Sequence, residues 1–146
     1  MNELRKGYSE VDELLGSSSS LKVGNNTYLT RVVRGIIALR LHDTEVVKWY
    51  SWSDKRLDFI RMLNSGGWRT VTTKDRINKC LPTGMSLYSK DWEWKIRDKS
   101  GKVFEFHENI VIGPLGKVRP RWQTSYFLAT PLRLIADSSS SHDSLR

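Results

Sequence analysis

The chain has 146 residues, one cysteine and no run of about 18 apolar residues, so one core is expected, and an intramolecular disulfide and a spanning helix are excluded. Lys and Arg number 24 against 16 Asp and Glu, a net charge of +8 that favours contact with polyanions and carries no information about fold. The opening Met1-Asn2-Glu3-Leu4-Arg5 lacks the apolar stretch of a secretory signal, so the expectation is an intracellular protein that meets no membrane.

Residues 1–24 read as a flexible N-terminal segment with one short helix. Ser9-Glu10-Val11-Asp12 has the spacing of a capping box, Gly16 would end the helix, and Ser17 to Ser20 read as a tether. From Asn25 the apolar period is two. Strands are predicted near Thr27–Val33, Ile36–His42, Glu45–Trp52 and Leu57–Leu63, with Arg34-Gly35 and Asp43-Thr44 as hairpin turns. Asn64-Ser65-Gly66-Gly67 then reverses the chain, because two glycines supply the positive φ that a tight turn needs.

The body's one helix is predicted over about 72–80, with Thr72 as N-cap and Asp75 three residues on. Ile77 and Leu81 would face the sheet, and Lys74, Arg76 and Lys79 would flank that face. Alternation in Trp92-Glu93-Trp94-Lys95-Ile96-Arg97 sends both tryptophans and the isoleucine to the core. After a turn at Asp98-Lys99-Ser100-Gly101, Phe104 and Phe106 would meet those tryptophans across a hairpin. The fold class is therefore α+β, mainly β: an antiparallel meander or small open barrel-like sheet packed with one short helix. Residues 25–112 form the β-rich domain, 113–136 a C-terminal arm and 137–146 a disordered tail.

Three stretches carry a family resemblance: Asn26-Thr27-Tyr28-Leu29, Ala38-Leu39-Arg40-Leu41-His42-Asp43-Thr44-Glu45-Val46-Val47, and the run from Leu63-Asn64-Ser65-Gly66-Gly67-Trp68-Arg69 to Asn78. Over the middle third to half of its length the chain resembles a group of small uncharacterised proteins encoded by bacteriophages and some bacteria. The resemblance implies a viral or mobile-element setting, hence the cytoplasm of a bacterial host, and transfers no catalytic residue.

The most suggestive constellation is the glycine turn with the helix start that follows, where Arg69, Thr72, Thr73, Lys74, Arg76 and Lys79 gather hydroxyls and cations as a phosphate would require. The glycine spacing is not that of a nucleotide-binding P-loop, and a capped helix with solvated charges explains the same residues. Lys48, Arg119 and Arg121 interleave with Trp49, Tyr50, Trp52, Trp68, Trp122 and Tyr126, the mixture that single-strand binding uses. At the turn itself, Trp68 is expected to anchor by burial and Arg69 to point to solvent.

His42-Asp43 and His107-Glu108 pair imidazole with carboxylate, which brought together would bind a divalent metal or serve acid–base chemistry; local turns are the more economical reading. Cys80 follows a helix and has no adjacent base, so it is read as an inert thiol. No catalytic residue, cofactor or metal is assigned. The leading expectation is a noncatalytic phage-type accessory protein that binds nucleic acid or a nucleoprotein complex through a basic, aromatic face. The alternative is a protein-binding module, a host-protein inhibitor or self-associating factor, that uses Trp122, Tyr126, Phe127 and Leu128 of the arm against a host or phage protein. A metal-assisted hydrolase using His42 and His107 ranks third.

Overall fold

The computed structural model describes residues 1–51, 61–113 and 115–121. Helix α1 (Tyr8–Leu15) leads into β1 (Ser20–Gly24), β2 (Thr27–Val33), β3 (Ile36–Leu41), β4 (Thr44–Tyr50) and β5 (Arg61–Leu63). Helix α2 (Val71–Asn78) follows, then β6 (Ser86–Lys90), β7 (Glu93–Arg97), β8 (Val103–Glu105) and β9 (Ile110–Ile112). The strands form an open six-stranded sheet in the order β1-β2-β3-β4-β5-β9 and a three-stranded sheet in the order β6-β7-β8. Every pairing is antiparallel. The mainly β architecture with a meander through β1 to β5 is thus observed, and the large sheet does not close into a barrel. Helix α2 and the small sheet are inserted between β5 and its partner β9, a return that no local sequence signal announces.

One core joins both sheets and both helices. It contains Val11 and Leu15 of α1, Leu29, Ile37, Leu39, Trp49 and Leu63 of the large sheet, Ile77 of α2, and Leu87, Trp94, Ile96 and Phe106 from the small sheet and its flank. Trp94 and Phe106 meet edge to face at 5.4 Å, as expected across that hairpin. Phe104 instead stands opposite Ile96, with the Lys102 ammonium 5.1 Å from its ring centroid.

The N-terminal segment is not a loose tether. Val11 and Leu15 lie four apart on one face of α1 and are both buried. The helix starts after Gly7, without a side-chain cap, so Ser9 lies inside the first turn rather than capping it. The serine run is fixed through Arg31 of β2. Its guanidinium pairs with Asp12 and donates to the carbonyls of Gly16 and Ser18, while its amide donates to the Ser19 carbonyl. Ser20 then opens a strand opposite Thr30. Further back, buried Arg61 donates to the carbonyls of Arg5 and Lys6, and the Trp49 indole donates to Lys6 at 3.1 Å. Burial pushes the Arg61 pKa down to about 10, which leaves it cationic at neutral pH.

Two departures from strict alternation shape the rest. Leu39 pairs with Val47 but Arg40 pairs with Glu45, so β4 carries an extra residue, and Val46 and Val47 both reach the core. Trp92, expected in the core, is fully exposed. It occupies the β6–β7 turn beside Asp91, both with positive φ, so β7 and its alternation begin only at Glu93. The predicted strand near Leu57–Leu63 is described only for Arg61–Leu63, and Trp52 likewise lies outside the described residues.

Candidate functional site

The β3–β4 turn and the loop after β5 come together at one end of the large sheet. The turn is His42-Asp43, one residue earlier than the predicted Asp43-Thr44. His42 adopts φ 52° and donates its amide to the Asn26 carbonyl at 2.8 Å, so Thr44 already belongs to β4. Across from it, Asn64 donates its amide to the carbonyl of the bulged Val46, and Gly66 packs on Thr44 so closely that a Cβ would stand 2.7 Å from Thr44 Cγ2. The Ala38-to-Val47 and Leu63-to-Asn78 stretches, separated in sequence, therefore build one structure.

Glu108 holds the loop in place. Its carboxylate accepts from the Ser65 amide at 3.0 Å, from the Ser65 hydroxyl at 2.8 Å and from the Gly67 amide at 3.4 Å, and Ser65 is fully buried. Asn109, itself at φ 64°, accepts from the Asn64 amide side chain at 2.9 Å. The His107-Glu108 pair thus includes a structural carboxylate rather than one half of a reactive couple. The His107 ring lies against the Glu108 carbonyl at 3.1 Å, and its pKa is lowered, chiefly by desolvation, with the charge of Arg121 adding to the effect.

Trp68, expected to be buried, instead faces solvent. Trp68 donates its amide to the Ser65 carbonyl and accepts at its own carbonyl from the Thr70 amide. These consecutive turns swing the indole outward, 68 % exposed, while Arg69 is exposed as expected and its guanidinium lies 5.3 Å from the Phe106 ring and 5.8 Å from the Trp94 ring. Trp94 and Phe106 already fill the core beneath the loop. The helix start also moves: Thr70, not Thr72, is the N-cap, its hydroxyl accepting from the Thr73 amide at 3.1 Å. Asp75 takes no part in capping and pairs with Arg76 and Lys79. The observed helix ends at Asn78, whose side chain both donates to the Leu87 carbonyl and accepts from its amide at 2.8 Å, sealing the edge of β6.

Trp68 stands at the rim of a cleft of about 500 Å³ whose floor is Leu41 and Val46 and whose walls carry His42, Asp43, Thr44, Ser65, Thr70, Thr72 and Thr73. An exposed indole over an apolar floor, ringed by hydroxyls and one imidazole, suits a flat heteroaromatic group with polar edges. The expected phosphate-binding residues are distributed unevenly about it. Thr72 and Thr73 line the cleft, and Arg69 flanks it in sequence. The Lys74 ammonium reaches Ser89 at 3.3 Å. The Arg76 side chain is mostly buried, donating to Thr27 and Asp75, and Lys79 pairs with Asp75 at 3.4 Å. Lys48 pairs with Glu45 in a second cleft of about 390 Å³ that also takes in Arg40, Asn64 and Asn109. Arg119 and Arg121 follow β9, the Arg119 amide donating to the Val111 carbonyl. The arm residues Trp122, Tyr126, Phe127 and Leu128 lie outside the described residues.

His42 lines the 500 Å³ cleft and His107 does not. Among the described residues no group of three or more His, Cys, Asp or Glu is placed to hold a metal ion. Cys80 is buried with its thiol pushed up to about 12 by desolvation. No helix among the described residues is long and apolar enough to cross a membrane.

The sequence matches the family model described as Kyanoviridae Gp96 protein over residues 4–113. The chain belongs to this phage protein family. The matched span of the Gp96 family runs from before α1 through β9, so it includes the N-terminal helix and the inserted small sheet as well as the three stretches that carry the resemblance. It also contains every residue that lines the Trp68 cleft. The phage setting expected from those stretches holds at the level of the family. No curated protein and no solved structure matches the chain.

Proposed function

We propose that this Gp96 family member is a noncatalytic phage accessory protein that binds single-stranded nucleic acid in the cytoplasm of the infected cell, with a base stacked on Trp68. The observation that carries this reading is the exposed indole at the rim of the 500 Å³ cleft, on a loop made rigid by Glu108. Base stacking on an aromatic ring contributes about 1–3 kcal/mol and needs no sequence preference. Arg69 and Lys74 are cations adjacent in sequence to the cleft residues Trp68, Thr70 and Thr73, and the net charge of +8 supplies the long-range attraction. Short fluorescently labelled DNA and RNA strands titrated at low salt test this: binding that weakens with salt and with Trp68→Ala supports it, and no binding at micromolar protein defeats it.

A protein partner is the second reading, favoured by Trp92, which is fully exposed at the tip of the β6–β7 turn. Isolated exposed tryptophans are frequent anchors of protein interfaces. In that case Trp92→Ala would abolish capture of a host or phage protein and leave nucleic-acid affinity unchanged.

A further inference from the structure

The three-stranded sheet turns Leu87, Trp94 and Ile96 to the core, and strand alternation leaves a second face. That face carries Tyr88 and Lys90 of β6, Lys95 and Arg97 of β7, and Val103 and Glu105 of β8. The register sets Tyr88 opposite Lys95 and Lys95 opposite Glu105, with Arg97 opposite Val103 in the next row. These residues and Phe104 line a cavity of about 340 Å³.

The charges on this face are unevenly matched. The carboxylates of Glu93 and Glu105 both engage Lys95, at 3.2 Å and 3.4 Å. Lys90, Arg97 and Lys102 are exposed and form no ion pair with a described residue. Two of them lie against rings instead: the Arg97 guanidinium is 5.3 Å from the centroid of Tyr88, and the Lys102 ammonium 5.1 Å from that of Phe104. Bases stack on aromatic rings and on guanidinium planes alike, while unpaired cations meet the phosphates between them, so this mixture suits single-stranded nucleic acid.

The face is also mounted beside the Trp68 cleft. Helix α2, whose Thr72 and Thr73 line that cleft, is fastened to β6, because the Asn78 side chain bonds both backbone groups of Leu87. At the start of the same helix Lys74 reaches the Ser89 hydroxyl at 3.3 Å, next to Tyr88 in the chain. A cation therefore stands where the helix wall of the cleft meets the edge strand of the small sheet.

We infer that the outer face of the small sheet is a second contact for the strand whose base stacks on Trp68. Tyr88 and Arg97 form its stacking surface, and Lys90 and Lys102 take the phosphates. The inference rests on the reading of Trp68 as a stacking platform and specifies its ligand: a single strand several nucleotides long rather than a mononucleotide.

Binding of two strand lengths tests it. Labelled oligothymidines of about four and about twelve nucleotides, within the span of single-strand sites, are titrated at low salt with the full chain as wild type, Trp68→Ala, Arg97→Gln, Tyr88→Leu and Tyr88→Phe. Urea denaturation confirms that each variant is folded, and Arg97, being exposed, can be replaced without opening the core. The wild type should bind the longer strand more tightly. Arg97→Gln and Tyr88→Leu should each weaken binding of the longer strand by about 5-fold or more, and Tyr88→Phe, which keeps the ring, should not. Arg97→Gln should also reduce the slope against the logarithm of salt concentration by about one. Wild-type affinity for the longer strand in both Arg97→Gln and Tyr88→Leu, with a loss in Trp68→Ala, would overturn the second contact and leave the Trp68 reading standing. A loss in the small-sheet variants with none in Trp68→Ala would support the face as a contact and defeat the Trp68 reading instead. No binding of either strand by the wild type would overturn both.

Discussion

Glu108→Ala removes the acceptor for two groups that have no route to water, the Ser65 amide and the Ser65 hydroxyl, and for the exposed Gly67 amide. A buried donor left unpaired costs about 1–3 kcal/mol, and hydrogen bonds to a charged acceptor stand at the upper end. The Gly67 amide keeps a contact to the Ser65 hydroxyl at 3.2 Å and can reach solvent, so it adds little. Two stranded donors, partly relieved by water entering the vacated space, give an expected loss of about 3 kcal/mol. That is a large share of the roughly 5–15 kcal/mol typical of a single domain. Urea denaturation of the wild type, Glu108→Ala, Ser65→Ala and the double variant measures it. The double variant should be less destabilised than the sum of the singles by more than about 0.5 kcal/mol, since the two residues share their bonds. A loss below about 0.5 kcal/mol for Glu108→Ala, the level of an ordinary surface change, would show that the carboxylate does not hold the loop.

Other outcomes follow from the same geometry. Gly66→Ala places a Cβ 2.7 Å from Thr44 Cγ2 at φ +62°, whereas Gly67→Ala at φ +83° meets nothing within 4 Å. Thermal melts should therefore show a loss of about 2–4 kcal/mol for the first and only about 1 kcal/mol for the second. Trp68→Ala should change stability by at most about 0.5 kcal/mol, while Arg69→Ala, which removes a cation from two rings, should lose about 1 kcal/mol. The reverse ranking in chemical denaturation would return Trp68 to the core. His107 has its pKa lowered below 6.5 by desolvation, so the unfolded chain binds the proton first and stability falls as pH drops below about 6.5. His107→Gln should flatten the stability profile below about pH 6.5, and an unchanged slope would contradict the assignment.

The parts of the fold legible in the sequence are those set by local period and turn chemistry. β2, β3 and β4 follow from alternation bounded by short turns, and the glycine reversal after Leu63 follows from its composition. Trp94 against Phe106 follows from two alternating strands around one turn. The rest depended on contacts distant in the chain. The serine run looks like a linker, yet Arg31 fixes it beside β2 across 13 residues. The Val46 bulge exists because the loop after β5 binds that bend. Trp68 stays outside because Trp94 and Phe106, supplied by a later hairpin, already occupy the core below. Glu108 drew notice only through its histidine neighbour, while its partner Ser65 lies 43 residues away. At the candidate site, the sequence placed hydroxyls and cations near the helix start, but the cleft itself needs the His42-Asp43 turn to meet the Gly66-Gly67 loop, and no local pattern reports that meeting.

The central claim is that Trp68 is a stacking platform for nucleic acid, and fluorescence anisotropy of a short labelled single strand tests it most directly. At low salt, the wild type should bind in the micromolar range or tighter, and Trp68→Ala should weaken binding about 5- to 150-fold, the equivalent of 1–3 kcal/mol, with stability unchanged. Lys74→Ala should weaken binding less and reduce the slope against the logarithm of salt concentration by about one. Equal affinity of wild type and Trp68→Ala for every strand tested would contradict the account.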